Sequence, residues 1–293
     1  MKYRPLGRTE LEVSSVSLGG AYLMGEDESQ QEDNARAVIE CALELGINYI
    51  DTAPLYGQSE KLLGRVLAGL EGKFHVSTKV GFDPQGFDYR RDSVLESLER
   101  SLLRLGIDQL AVAQIHEVNE AGLERILEKG GTLEGLRLAR ERGLCRYIGI
   151  TGRAIPLLSE LAATGEFDTL LFYHDYHPCL QLANEQVLPT AATQNMGVVA
   201  ATVLAGGLYV PGAAQEQALI NLGTAASRAR SIIARLGGED GTLPQAAFRY
   251  VLADERISSV SSGAANPEQL REVAQAANMG PLTAETMRYI KEV

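Results

Sequence analysis

The sequence predicts an α/β protein: a single-domain (β/α)8 TIM barrel over residues 1–293, with a short N-terminal β-hairpin and a C-terminal helix. Two observations carry this prediction. Short apolar runs alternate with amphipathic segments along almost the whole chain, which is the pattern of βα units around a parallel sheet. These runs give about eight strands and about as many helices, the number that a closed barrel needs. The same alternation would also fit a doubly wound open sheet.

The first half of the chain contains the clearest units. Residues 2–13 predict the hairpin, and a stripe of Val94, Leu98 and Leu102 marks one long amphipathic helix. That helix is expected to end at Gly106, because glycine favours the position after a helix. We predict strands at residues 16–19, 49–51, 74–78 and 110–115, and helices at residues 31–44, 59–67 and 92–105.

The second half of the chain gives weaker patterns. The strands predicted there lie at residues 147–150, 170–172, 198–201 and 257–260. The helices predicted there lie at residues 132–142, 185–194, 215–236, 244–252, 267–277 and 283–293. The segment 215–236 is expected to form one long helical stretch, since no strand pattern interrupts it.

Composition excludes several classes of protein. The formal net charge is -11, and so acidic a chain repels phosphate backbones, which predicts no nucleic-acid partner. Cys41, Cys145 and Cys179 contain no CxxC pair, so we expect reduced thiols in a cytoplasmic protein. No run reaches the roughly 18 apolar residues of a membrane span, and the N-terminus lacks a signal-peptide pattern. A monomer is the default expectation.

Polar side chains follow three consecutive predicted strands. Asp51 ends the second strand and Tyr56 lies in the loop after it, while Lys79 follows the third strand and His116 the fourth. We expect all four at one rim, because catalytic residues of a barrel lie where strands end. A phenol titrates at about 10, and a nearby ammonium lowers that pKa. The set predicts a proton-transferring tyrosine, a lysine kept charged by a carboxylate, and an imidazole that orients substrate or passes a proton.

Three segments of the chain resemble the aldo-keto reductase family. They are NYIDTAPLYGQSE at residues 48–60, STKV at residues 77–80 and QIH at residues 114–116, and the resemblance extends over nearly the whole chain. It implies a barrel oxidoreductase that transfers hydride between a nicotinamide cofactor and a carbonyl or a sugar C1. The catalytic tetrad of the family falls on Asp51, Tyr56, Lys79 and His116, with Tyr56 as general acid/base.

The cofactor site is expected in the late loops of the barrel. Neither GxGxxG after a strand nor GxxxxGK[ST] occurs, so Rossmann and P-loop sites are not indicated. The resemblance places the cofactor near residues 201–208 and 260–272, where the N-terminus of a helix suits a phosphate group. The cofactor-binding residues that it implies are Gly19, Gly20, Thr151, Ala201, Thr202, Leu204, Gly206, Gly263, Gln269 and Glu272.

Several positions depart from the family pattern. Many members that use NADP hold its 2′-phosphate with a lysine and an arginine, whereas Gly263 and Gln269 stand at the matching positions. Without those cations the phosphate loses its charge-assisted contacts, so we expect NAD rather than NADP unless Arg271 or a loop lysine compensates. Val273 stands where the family usually has an asparagine. Further departures, around the nicotinamide, resemble the branch of sugar 1-dehydrogenases that includes L-galactose dehydrogenase; they lie at Thr151, Gly152, Leu171 and Ala201.

The expected partner is a small carbonyl compound or sugar. We predict that Tyr22, His174 and His177 line the substrate pocket, and nothing in the sequence indicates a metal site. Two other functions stay open. One is a nicotinamide-binding regulatory or interaction protein with little or no turnover. The other is a barrel lyase or aldolase with Lys79 as a Schiff base, against which Asp51 argues because a carboxylate keeps the lysine protonated.

Overall fold

Eight parallel strands close into a barrel in the computed structural model, which describes residues 1–23, 28–70, 72–83 and 86–293. The strands are β1 (Tyr3–Pro5), β2 (Glu12–Ser14), β3 (Val16–Gly19), β4 (Tyr49–Asp51), β5 (His75–Val80), β6 (Phe82–Asp83), β7 (Gly86–Phe87), β8 (Leu110–Ile115), β9 (Cys145–Gly152), β10 (Thr169–Tyr173), β11 (Gly197–Ala201) and β12 (Ser259–Ser262). The barrel runs through β3, β4, β5, β8, β9, β10, β11 and β12 and closes back on β3. The other strands pair as two antiparallel hairpins, β1 with β2 and β6 with β7. The predicted barrel and N-terminal hairpin are therefore confirmed, and the open sheet is excluded.

Helices cover the outside of the barrel. They are α1 (Glu28–Leu45), α2 (Ser59–Leu67), α3 (Arg91–Leu105), α4 (Val118–Leu127), α5 (Thr132–Glu141), α6 (Ile155–Ala163), α7 (Leu182–Glu185), α8 (Val187–Thr193), α9 (Ala213–Asn221), α10 (Ala226–Leu236), α11 (Leu243–Leu252), α12 (Pro267–Met279) and α13 (Ala284–Glu292). Helix α13 is the predicted C-terminal helix. In the part of the chain that the structure describes, none of the helices is both long and apolar enough to cross a membrane.

Side chains alternate along each barrel strand, as the pleat of a strand requires. In β4, Ile50 points outward and joins the large apolar core between strands and helices. Tyr49 and Asp51 point into the barrel instead, Tyr49 toward its lower end and Asp51 toward its rim. Lys79 occupies an equivalent inward position near the end of β5. The rule of alternation therefore delivers polar side chains to the C-terminal rim.

The N-terminal hairpin closes the opposite end of the barrel. Its apolar side chains pack with inward-pointing barrel residues in a floor cluster, which consists of Leu6, Leu11, Val13, Tyr49, Ala111, Val112, Leu171 and Val199. Gly7 lets the hairpin approach this closely, since a Cβ at Gly7 would lie 2.1 Å from the amide nitrogen of Gly197. Gly7 also has a φ of +55°, a conformation that glycine adopts without strain.

Several elements differ from the sequence prediction. The long helical stretch at residues 215–236 is wrong, because a 3₁₀ turn that begins at Gly223, with φ +54°, separates α9 from α10. The last strand lies at residues 259–262 rather than 257–260, since two of its inward residues, Ser259 and Ser261, are polar and hid it from an apolar pattern. Helices α4 and α6 were not predicted, and Gly122, with φ +75°, breaks the periodicity of α4. The single helix predicted at residues 185–194 is two helices, α7 and α8. The two-residue strands of the β6–β7 hairpin were also missed.

Candidate active site

Four polar side chains from neighbouring elements meet at the C-terminal rim. Asp51 ends β4, Lys79 lies in β5, His116 follows β8, and Tyr56 belongs to the loop between β4 and α2. Strand β5 pairs with β4 on one side and with β8 on the other. All four residues line one cavity, so the structure brings together the tetrad that the sequence predicted.

A buried ion pair forms the centre of the site. The Nζ of Lys79 donates to Oδ2 of Asp51 at 2.5 Å and to the carbonyl oxygen of Thr52 at 2.9 Å. Lys79 is 1% exposed and Asp51 is 4% exposed. The hydroxyl of Ser77 and the amide of Gln114 donate to Oδ1 of Asp51 at 2.7 and 2.8 Å. The hydrogen bonds from Ser77 and Gln114 therefore fix the orientation of the carboxylate, so that Oδ2 faces the lysine.

The pair keeps Lys79 charged. Burial alone would lower the pKa of Lys79, but the adjacent Asp51 carboxylate, together with the Tyr56 hydroxyl, raises that pKa above its ordinary value. A protonated amine is not a nucleophile, so this arrangement opposes the Schiff-base lyase that the sequence left open. It favours a role for Lys79 as a fixed positive charge beside Tyr56.

Tyr56 lies against both Lys79 and His116. The Lys79 ammonium is 4.8 Å from the centroid of the Tyr56 ring, and the rings of Tyr56 and His116 meet edge to face at 5.8 Å. Burial raises the pKa of Tyr56, while Lys79 lowers it in part and Asp51 raises it again. The lysine thus acts in the expected direction but does not bring the pKa below its usual value. At neutral pH Tyr56 is therefore a protonated phenol, ready to donate.

His116 is a neutral imidazole. Burial, with Lys79 nearby, lowers the pKa of His116 to about 3. Its Nδ1 is buried and has no hydrogen-bond partner among the described residues. The backbone beneath it is fixed, because the hydroxyl of Tyr89 donates to the carbonyl oxygen of His116 at 2.7 Å. Of the two roles predicted for His116, orientation of a substrate oxygen fits this state better than proton delivery.

The cavity around the tetrad has a volume of about 720 Å³, a size typical of ligand sites. It collects most of the residues that the sequence assigned to cofactor and substrate. Those that line it are Gly19, Tyr22, Thr151, His174, Ala201, Thr202, Leu204, Gly206, Gly263, Gln269 and Glu272. No group of three or more His, Cys, Asp or Glu side chains in the described residues could hold a metal ion.

Two predicted site residues lie elsewhere. The carbonyl oxygen of Gly20 accepts a hydrogen bond from Ser59 at 2.7 Å, and a Cβ at Gly20 would collide with that hydroxyl. Gly20 therefore packs beneath the loop that carries Tyr56. His177 is a core residue, since its Nδ1 is 2.9 Å from the hydroxyl of Tyr209, and burial lowers its pKa to about 4. It fixes the loop after β10 rather than lining the cavity.

Several cavity residues were not predicted. Glu117 contributes a polar group, and Leu55, Val210 and Phe248 contribute apolar ones. Glu117 directly follows His116, which comes after the end of β8, so the rule that barrel sites lie at strand ends could have found it. Phe248 gave no such signal, because it belongs to helix α11 and its place at the cavity depends on helix packing.

Strained backbone concentrates at the same rim. Glu117, His174 and Thr202 all line the cavity and have positive φ values of 49°, 67° and 55°. Residues other than glycine rarely adopt this backbone conformation, and each instance costs on the order of 1–3 kcal/mol. The surrounding fold holds these three residues there, which supports the cavity as the functional site.

The far end of the cavity suits a dinucleotide. Gly263, Gln269 and Glu272 line it beside the N-terminus of α12, where backbone N–H groups favour phosphate. Arg271, which could have supplied a positive charge there, instead pairs with Glu44 at 3.0 Å and does not line the cavity. The residues present therefore fit a nicotinamide cofactor whose adenosine end meets no arginine or lysine among the described cavity residues.

Known proteins resemble this chain in sequence and in fold. Residues 15–293 match the aldo/keto reductase family. The chain is 31% identical to L-galactose dehydrogenase from Arabidopsis thaliana over 93% of this chain and 86% of that protein. It is 27% identical to D-threo-aldose 1-dehydrogenase from a Pseudomonas species, over 90% of this chain and 89% of that protein. The structure of an aldo-keto reductase from Bacillus halodurans in its holo form aligns with a TM-score of 0.84 at 27% identity, covering 100% of this chain and 96% of that one.

The fold, the rim site and the comparisons agree with the resemblance found in the sequence, including the branch of sugar dehydrogenases. A binding protein without turnover is not what these relatives indicate, since the family and its named members are reductases and dehydrogenases. The chain belongs to the aldo/keto reductase family and is an NAD(P)-dependent oxidoreductase.

Proposed function

We propose that this enzyme oxidises an aldose at C1 to a lactone with NAD, and that Tyr56 is the group that takes and returns the proton. The main support for this proposal is the contact of Tyr56 with Lys79. Asp51 keeps Lys79 charged within the same buried cluster. The relatives named for L-galactose and for D-threo-aldose support a sugar as substrate. A bound nicotinamide supplies the hydride acceptor for oxidation and the hydride donor for reduction.

The protein's own part is proton transfer and orientation. In oxidation the phenolate of Tyr56 accepts the proton of the C1 hydroxyl, and in reduction the phenol returns it to the carbonyl oxygen. The Lys79 ammonium favours the phenolate at the moment when that charge develops. Neutral His116 orients the substrate oxygen between itself and Tyr56. Asp51 touches neither reactant in this scheme and acts through Lys79.

The preference for NAD follows from charge at the far end of the cavity. Lys79 is the sole lysine or arginine among the described residues that line the cavity, and Asp51 already engages it. At the adenosine end Glu272 would face the added phosphate of NADP, so like charges would meet without a compensating cation. NAD carries no such phosphate. We therefore expect kcat/KM to be higher with NAD than with NADP.

The test is a turnover screen at the nicotinamide absorbance band, with aldoses and simple aldehydes against both cofactors. Tyr56→Phe should lower kcat by about 10²–10⁴-fold, the range typical of a lost general acid/base. NADH binding, followed by NADH fluorescence, should survive. Tyr289→Phe, on α13 and away from the cavity, is the matched control. Equal turnover by wild type and Tyr56→Phe would show that another group transfers the proton.

A further inference from the structure

We infer that the carboxylate of Glu117 is a substrate-recognition group, which accepts hydrogen bonds from hydroxyl groups next to the reacting carbon and so selects polyhydroxylated substrates over simple aldehydes. The inference rests on the proposed function, because it presumes that a carbonyl or C1 carbon reacts beside Tyr56. It adds a residue outside the tetrad and a physical reason for a preference for sugars.

Glu117 lies next to the catalytic tetrad. It follows His116 directly, lines the same cavity, and places Oε1 4.0 Å from Nε2 of His116. Both groups line the cavity in which a substrate would lie beside Tyr56. A carboxylate one residue beyond the imidazole would therefore reach the substituents on the carbon next to the reacting one, not the reacting oxygen itself.

The backbone of Glu117 is held in an unfavourable conformation. Its φ is +49°, although glutamate has no side-chain feature that favours this region. The hydroxyl of Tyr89 fixes this turn, because it lies within hydrogen-bond distance of the carbonyl oxygens of both His116 and Glu117, at 2.7 and 3.0 Å. With the turn held in this way, Glu117 lines the cavity and its side chain is 18% exposed.

Half of the carboxylate is held and half is free. The hydroxyl of Tyr173 donates to Oε1 of Glu117 at 2.6 Å. Tyr173 is held in turn by Arg153, whose guanidinium lies 5.9 Å from its ring centroid and 3.6 Å from Asp175. Oε2 of Glu117 has no hydrogen bond or ion pair with any residue that the structure describes. One oxygen therefore fixes the group, and the other remains available to a ligand.

The free Oε2 of Glu117 favours ligands that donate hydrogen bonds. An ionised carboxylate only accepts hydrogen bonds, and those it accepts from hydroxyl groups are short and strong. The substrate hydroxyls of a sugar match it, whereas a simple aldehyde would leave this charge without a donor. An amine would also match, so aminated aldehydes are the competing substrate class.

The experiment compares Glu117→Gln with wild type on an aldose, on its deoxy analogue and on an aldehyde without hydroxyl groups. We expect the ratio of kcat/KM for the aldose to that for the aldehyde to fall about 10–100-fold in Glu117→Gln, mostly through KM. Wild type should lose a similar factor on the deoxy analogue, and Glu117→Gln should then lose little more. Glu120→Gln, which removes a neighbouring carboxylate outside the cavity, should leave the ratio unchanged.

Tyr173→Phe guards against a folding defect, since it removes only the hydroxyl that orients Oε1, and it should lower the same ratio by a smaller factor. An equal loss on aldose and aldehyde, an unchanged ratio, or a preference for aminated aldehydes over aldoses would overturn the inference. If wild type oxidises no aldose but reduces aldehydes, the proposed function itself fails. If wild type and Glu117→Gln oxidise aldoses equally well, the proposed function stands and only the role of Glu117 falls.

Discussion

Replacement of Asp51 by asparagine is the sharpest test of the buried ion pair. The change keeps the size of the side chain and an acceptor for Ser77 and Gln114, but it leaves the Lys79 ammonium buried without its counter-charge. Removal of one partner from a buried pair costs about 3–5 kcal/mol of the free energy of unfolding. For a chain of 293 residues, the unfolding entropy per residue converts that loss to a fall in Tm of about 5–8 °C.

Thermal denaturation followed by circular dichroism measures this shift. Asp92→Asn is the matched control, because Asp92 forms its ion pair with Arg91 at the surface, where such pairs contribute little. The double variant Asp51→Asn with Lys79→Met should be less destabilised than the sum of the two single variants, since it leaves no unpaired charge. A Tm for Asp51→Asn within about 1 °C of wild type, or additive single variants, would refute the reasoning.

The other predictions concern the pH profile and the packing of helices. Burial keeps the pKa of Tyr56 above its ordinary value, so the rate of oxidation should rise steadily from pH 7 toward pH 10. The rate of reduction should stay constant until the phenol begins to lose its proton. Steady-state rates measured in both directions check this. The pKa of His116 is about 3, so an inflection near pH 6.5 that disappears in His116→Gln would contradict its assignment as a neutral imidazole. Gly64→Ala should lower the free energy of unfolding by about 1–3 kcal/mol in urea titrations, because the new Cβ would lie 2.2 Å from the carbonyl oxygen of Arg104. At Gly237 the nearest atoms to such a Cβ are 3.5 Å away, and a Gly237→Ala variant as unstable as Gly64→Ala would show that close helix contact is not the cause.

The parts of the fold that the sequence predicted well are those in which the apolar period is unbroken. Strands β3, β4, β8, β10 and β11 are short apolar runs, and they lie within about one residue of their predicted positions. The predicted position of strand β12 was two residues too early, because its inward residues Ser259 and Ser261 are polar. The apolar pattern of one strand cannot show that the barrel interior accepts serine there. That depends on the side chains that the opposite strands contribute.

In the candidate site, too, some features could be predicted from the sequence and others could not. The tetrad was predictable, since the end of each strand marks the rim and each residue type has a chemical reason to be there. The environment of each residue was not predictable. The pKa of Tyr56 depends on burial that outweighs Lys79, and His177 became a core residue through its contact with Tyr209. Both outcomes depend on residues distant in sequence, for which the sequence carries no local signal.

The hairpin beneath the barrel has a consequence for how reactants come and go. Leu171 belongs to the floor cluster and also lines the cavity, so in the part of the chain that the structure describes, the bottom of the cavity is sealed by the packed floor. Cofactor and substrate then share one entrance at the rim. Neither reactant can therefore leave through the opposite end of the barrel, and any exchange of cofactor or substrate has to take place at the rim.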